Sequence, residues 1–363
     1  MTLIRTPYAL GILAMALSLS ACSDAGPEGI PARLSFRTIA GGTARQSLAA
    51  VEVEIQDANG NLVTSANDEV TIALDVNPGS LVLHASGADS NDRIIELVDP
   101  VRPQVLTPFL SANEGTGEIL GMVYDSTTGA VLSVDLDNAL SSIDPVTGTL
   151  THIGDMSINL KGIAFEMGTG RLIGASALTD SLLEVVPTNG NSMVLGRVTI
   201  DADSIEGFTG LAVDPTSGAM YAVARLRDNP DRKTRTLVTL DVTALAATYV
   251  APLSETGVAG ITCLRDGTLL AVTGDGADNP ETLWRVNKTS GVMTAIIAMG
   301  NGADGESVAA VPARLTGTLT VQAVNGVAVF RGLVIDAAGD GYTFIATASN
   351  LASGTSGAFN IVP

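Results

Sequence analysis

Apolar and polar residues alternate with period two along most of this chain. Ala50-Val51-Glu52-Val53-Glu54-Ile55-Gln56-Asp57 is the clearest run. Successive side chains of a strand point to opposite faces, so this pattern predicts a half-buried strand. Asn59-Gly60-Asn61 follows with turn chemistry. Val70 to Leu74 reads as another strand and stops at Asn77-Pro78-Gly79. The same style returns near the other end: Leu319 to Val321, the Asn325-Gly326 turn, Val327 to Phe330, Tyr342 to Ala348 and Phe359 to Val362. Neither group has enough strands to cover its own apolar face. Joined, they supply about seven, the number a sandwich needs. The pattern therefore predicts one discontinuous sandwich from 33–80 plus 313–363.

Between these groups lies a repeat. Gly121-Met122-Val123-Tyr124-Asp125, Gly162-Ile163-Ala164-Phe165-Glu166, Gly210-Leu211-Ala212-Val213-Asp214, Gly260-Ile261-Thr262-Cys263-Leu264 and Glu306-Ser307-Val308-Ala309-Ala310-Val311 open five similar segments. The four glycines stand 41, 48 and 50 positions apart, which is the period of a propeller blade. Each segment runs strand, turn, strand, strand, turn, strand. Asp125 to Gly129, Asp214 to Gly218, Asp144 to Gly148 and Asn287 to Gly291 supply Thr- and Gly-rich turns. Four antiparallel strands per repeat make a blade. Gly79 to Ser86, Asp92 to Leu97 and Gln104 to Phe109 read as strands two to four of a blade, and Glu306 to Val311 as its missing first strand. Joining them closes the ring and brings the ends of the insert together, as insertion into a sandwich loop requires.

The expected fold is thus all-β: an Ig-like β-sandwich split by an inserted β-propeller over 81–312. Five blades are expected, with six as the alternative if a divergent pair lies near Asn229. An irregular second sandwich is the competing architecture. The outer segment resembles bacterial Ig-like domains of adhesin and invasin type, on Val53 to Asn61, Asn325 to Phe330 and Ala338-Gly339-Asp340-Gly341-Tyr342-Thr343. The last stretch is similar to a tyrosine corner, which implies a buried Tyr342 hydroxyl bonded back to the backbone. Ala338 stands where that motif carries an acidic residue. The repeats resemble NHL-like and lactonase-like bacterial propellers at the level of the blade pattern.

The first 21 residues change the picture of where the protein works. Arg5 precedes a nearly continuous apolar run from Tyr8 to Leu19, followed by Leu19-Ser20-Ala21-Cys22. About 12 apolar residues are too few to span a bilayer core of ~30 Å, and the zones fit an export signal. The segment resembles a bacterial lipobox, which implies cleavage before Cys22, acylation of its sulfur (palmitate among the chains) and a lipid anchor. Ser23 at the second mature position implies the outer membrane in a Gram-negative host. Residues 22–32 read as a short lipidated tether.

Composition narrows the partners. The formal net charge is −19, so nucleic acid is excluded. Cys263 is the one further cysteine, which excludes an internal disulfide in the mature chain. It reads as a small buried hydrophobe. His84 and His152 are the only histidines. They fall in separate predicted strands, so a Ser-His-Asp triad is poorly supported.

Carboxylates gather in the loops that lead into first strands and join second to third strands. That face is expected to be acidic. It binds Ca²⁺ or a cationic partner, or is simply solvated. Asp304, Glu306 and Glu206 are the candidate metal ligands. Arg225, Arg227, Arg232 and Arg235, in one long loop on that face, either grip an anionic ligand or pair internally as a hairpin tip. Trp284 either stacks on a sugar or packs. The expected function is a cell-envelope lipoprotein acting as a non-enzymatic binding module through its acidic face. Its partners are the membrane, through the lipid, and a protein or carbohydrate. The alternative is a Ca-dependent propeller hydrolase or lyase of lactonase-like type, with metal-activated water.

Overall fold

The computed structural model describes residues 29–87, 93–111, 118–201, 204–231, 233–274, 276–299 and 304–363. Cys22 and the N-terminal stretch expected to be an export signal lie outside them, as does Arg232. Every regular element among the described residues is a strand. The alternating run behaves as its pattern requires: in Val51–Gln56 the three apolar side chains are buried and the three polar ones half-exposed.

Strands from the two ends of the chain pair with each other. Val51–Gln56 lies between Arg33–Phe36 and Val327–Phe330. Glu69–Leu74 lies between Thr320–Gln322 and Phe344–Thr347. Val53 faces Ala328, and Ile72 faces Ala346, across partners far apart in sequence. Aromatic rings fill the space between these sheets: the Phe344 centroid lies 4.9 Å from Phe359 and 6.3 Å from Phe36. The fully buried Tyr342 donates its hydroxyl to the Ala337 carbonyl at 2.8 Å, the corner contact its sequence suggested. A Cβ on Gly79 would fall on that hydroxyl, so the residue where the chain leaves this region has to be glycine.

The middle of the chain forms four antiparallel sheets of four successive strands and a fifth of four strands drawn from both its ends, consistent with propeller blades. The first holds Ile119–Tyr124, Val131–Asp135, Ala139–Ile143 and Leu150–Asp155. The second runs from Gly162–Phe165 to Ser192–Arg197, the third from Ile205–Val213 to Ala246–Pro252, and the fourth from Val258–Cys263 to Met293–Ala298. Thr199–Ile200 adds a short parallel strand to the outer edge of the third. The closing sheet mixes both ends of the segment, with Asp304–Pro312 beside Ser80–Gly87, Arg93–Asp99 and Gln104–Ser111. The five first strands touch in cyclic order and close a ring. Around Asn229 the described residues add no strand pair.

The repeated glycines have a steric cause. A Cβ on Gly121 would lie 2.9 Å from Gly162 Cα; on Gly162, 2.6 Å from Leu211 N; on Gly210, 3.0 Å from Ile261 N; on Gly260, 3.0 Å from Ser307 Cα. Five backbones converge on one axis at this level, and at four of them a side chain has no room; Ser307 stands at the fifth. The Asp- and Asn-led turns are equally determined. Asp125, Asp144, Asp214 and Asn287 each accept a hydrogen bond from the amide two residues on, at 2.7–3.0 Å. Each turn then ends on a glycine with φ between 69° and 76°, a conformation that carries no penalty only for glycine.

Neighbouring sheets share apolar clusters, such as Ile173 and Leu182 against Phe208 and Leu211. Burying each such Leu, Ile or Phe is worth about 1.5–3 kcal/mol. One cluster runs without a break from the sandwich residues Val53 and Phe330 into Leu81, Leu97 and Val131 of the closing and first sheets. An ion pair and a hydrogen bond brace the same seam. Arg45 reaches Asp99 at 2.6 Å, where Asp99 is 1 % exposed. Arg265 donates to the Asn77 carbonyl at 2.9 Å.

Candidate functional site

The ring of first strands has two mouths. One opens toward the seam with the sandwich. The other faces away from it, and there five equivalent positions meet. Leu120, Lys161, Thr209, Ala259 and Glu306 each precede the ring glycine or its counterpart Ser307, and all five line a cavity of about 120 Å³.

In four of the five sheets the register explains why. Pairing slips between Ile119 and Gly121, Phe208 and Gly210, Val258 and Gly260, and Gly305 and Ser307. Leu120, Thr209, Ala259 and Glu306 are therefore the extra residues of β-bulges. A bulge turns a side chain out of the regular alternation, and here it turns each one toward the axis. Lys161 sits just ahead of Gly162–Phe165, its amide tied to the Ala175 carbonyl at 2.9 Å.

Two further charged side chains join this ring, Glu118 and Arg235. Burial, and then the neighbouring Arg225 guanidinium, lower the Arg235 pKa from its ordinary value, against the opposing pull of Asp231. Glu306 is 7 % exposed. The Thr209 hydroxyl is committed across the ring, donating to the Val258 carbonyl at 2.9 Å. The mouth thus gathers two carboxylates and two cations over an apolar floor of Leu120 and Val258, and both Glu306 and Arg235 have partners of their own. Mixed charge of this kind suits a partner's charged group with hydrogen-bonding capacity.

The residues singled out from sequence separate in space. Glu306 and Arg235 share the cavity. Glu206 does not line it; its carboxylate meets Arg225 at 3.1 Å. Arg227 donates to the Ser204 hydroxyl at 2.5 Å. Asp231 caps the Lys233 and Thr234 amides at 2.8 and 2.7 Å, so the long loop is held by internal contacts. Asp304 begins the closing strand, and its side chain lies outside the described set.

No group of three His, Cys, Asp or Glu side chains among the described residues has the arrangement that holds a metal ion. With Lys161 and Arg235 in the mouth and Glu206 turned to Arg225, the residues present do not fit a Ca²⁺ cage of six to eight oxygens. Trp284 is buried and donates its ring N–H to Thr273 at 3.1 Å, so it packs. Cys263 lines the mouth nearer the sandwich. Burial pushes its thiol up to about 12, which keeps it protonated and unreactive.

Sequence reasoning passed over Lys161 and Thr209. The signal existed: both occupy the position before the repeat glycine, as Glu306 precedes Ser307.

No protein-family model matches the chain, and no curated protein matches it. Among solved structures, a chain in the crystal structure of a nidogen/laminin complex is similar, with 13 % identity and a TM-score of 0.43. The match covers 64 % of this chain and 98 % of that one.

Proposed function

We propose that the five sheets are the blades of a five-bladed β-propeller inserted in an Ig-like sandwich. In this reading the protein is a cell-envelope lipoprotein, anchored through Cys22, that binds a partner protein at its outward-facing mouth. The strand order supports the orientation. Arg33 pairs with Gln56, at the end of the sandwich opposite Gly79 and Ala313, where the chain passes to and from the blades. An anchor just ahead of Arg33 then places the sandwich near the lipid and the charged mouth away from it.

The observation that carries the binding role is the unlike chemistry of five equivalent positions, with Lys161 and Glu306 beside Glu118 and Arg235. A cavity of about 120 Å³ is smaller than the ~300–1,000 Å³ that encloses a typical small-molecule ligand. It suits one inserted side chain of a larger partner. The overall charge of −19 favours a basic segment, steered in by the acidic loops.

Two measurements test this. Palmitate labelling in the native host should be lost in Cys22→Ser; unchanged labelling contradicts the anchor. Lys- and Arg-centred peptides should bind the full chain in detergent, and the double variant Glu118→Gln/Glu306→Gln should weaken binding about tenfold or more. Absence of binding, or binding indifferent to both carboxylates, contradicts the site.

A further inference from the structure

A larger cavity, of about 700 Å³, lies off the channel axis. It sits in the seam between the first sheet and the link from Val311 to Arg314 that returns the chain to the sandwich. Six of its fourteen lining residues carry hydroxyls. Those of Tyr124, Ser142 and Thr151 bond to no other described residue. Thr149 accepts a hydrogen bond from Thr147 at 2.8 Å and so retains its own proton to donate.

The two charged lining residues are fixed and balanced. Asp144 uses Oδ1 to accept from the Val146 and Thr147 amides, at 2.7 and 3.2 Å. Arg314 donates from Nε to Asp336 at 2.6 Å and from Nη1 to the Pro145 carbonyl at 3.4 Å. Oδ2 of Asp144 and Nη2 of Arg314 make no hydrogen bond to any described residue. Apolar surface alternates with these groups, from the Tyr124 ring, Val311 and Pro312.

We propose that this seam is a binding site for a neutral saccharide. Four hydroxyls, one carboxylate and one guanidinium, interleaved with an aromatic ring and apolar patches, match a ligand that has hydroxyls around its edge and C–H groups on its faces. Charge sets the ligand class. Arg314 is neutralised by Asp336, so no free cluster of cations awaits a phosphate or a carboxylate. The sheet face favours a saccharide over an added peptide strand. Ser142 and Thr151 are register partners, as are Tyr124 and Val131, so this face presents side chains to the cavity. Leu150–Asp155 is the outer strand of its sheet, and a peptide added along that edge is the competing occupant that the test below distinguishes. The volume lies within the range of pockets that enclose small ligands. The seam is preformed, because one apolar cluster joins Val131 and Ile143 of the first sheet to Val311 and Ala313 of the link, and preorganisation lowers the entropy lost on binding.

The test is calorimetric titration of the full chain in detergent with neutral trisaccharides of glucose, mannose and N-acetylglucosamine, up to about 10 mM. At least one should bind. Thr149→Val/Thr151→Val, which removes two hydroxyls from exposed positions, should weaken it about tenfold. Tyr124→Phe, which keeps the ring, should weaken it by a smaller factor. Thr294→Val, the equivalent outer-strand position of the fourth sheet, should leave affinity unchanged. Melting temperatures of all variants identify any that fail to fold. No binding by any trisaccharide overturns the proposal, as does binding indifferent to both the double variant and Tyr124→Phe. Binding of a random decapeptide pool that is lost in the same variants, with no saccharide bound, also overturns it in favour of a peptide groove.

Discussion

The two mouths of the ring are built from the same five strands and have opposite chemistry. Near the sandwich, Met122, Tyr124, Phe165, Val213 and Val311 follow the regular alternation and line an apolar funnel of about 530 Å³. At the far mouth, bulges lift Leu120, Thr209, Ala259 and Glu306 out of that alternation. Side chains in regular register must pack against the next sheet, which restricts them to apolar types. A bulged residue is released from that duty and is free to differ in charge between repeats. The ring glycines separate the two regimes.

The largest expected effect comes from removing that separation. Gly162→Val places side-chain atoms against the Leu211 backbone and should cost about 3 kcal/mol or more, or prevent folding, as measured by denaturant unfolding. Near-normal stability would mean the strands do not converge there. Next in size is Phe208→Ala, which empties a fully buried position between the second and third sheets and should cost about 3–5 kcal/mol.

Much of this arrangement is legible in the sequence, and the exceptions share a cause. The period-two runs, the Gly121 to Gly260 repeat and the mixed closing sheet follow from pattern alone, because alternation and turn chemistry are local. Cys263 also reads correctly as a packing residue, and burial decides between the two readings of Trp284 in favour of packing. Lys161 and Thr209 do not reveal themselves: strict alternation aims Thr209 at a neighbouring sheet and only the register slip directs it to the axis, while Lys161 lies just ahead of its strand, where no alternation reads. Arg235 reaches the mouth through the fold of the 227–235 loop, which no local pattern encodes. The Arg225–Glu206 and Arg227–Ser204 contacts depend on that same fold.

A smaller effect sharpens the contrast between frame and mouth. Asp214 in the frame is pushed up by burial, but hydrogen bonds from Lys288 and Thr216 outweigh this and hold its carboxyl well below the usual range. A depressed carboxyl stabilises the fold above its unfolded pKa of about 3.9, and that contribution is lost as pH falls toward the folded value. The melting temperature should therefore drop more steeply below about pH 4 in wild type than in Lys288→Met. Equal slopes would remove Asp214 from the frame. Smallest of all, Lys161→Ala and Glu306→Gln should each change stability by less than about 1 kcal/mol, since the mouth is not what holds the ring together. A large loss at either residue would make the mouth structural.

The most direct test compares the mouths in living cells. A photo-cross-linking residue replaces Leu120 at the far mouth or Met167 at the near one, where Met167 is 58 % exposed. The account predicts a discrete protein adduct from position 120 and none from position 167. Adducts from position 167 alone would contradict it.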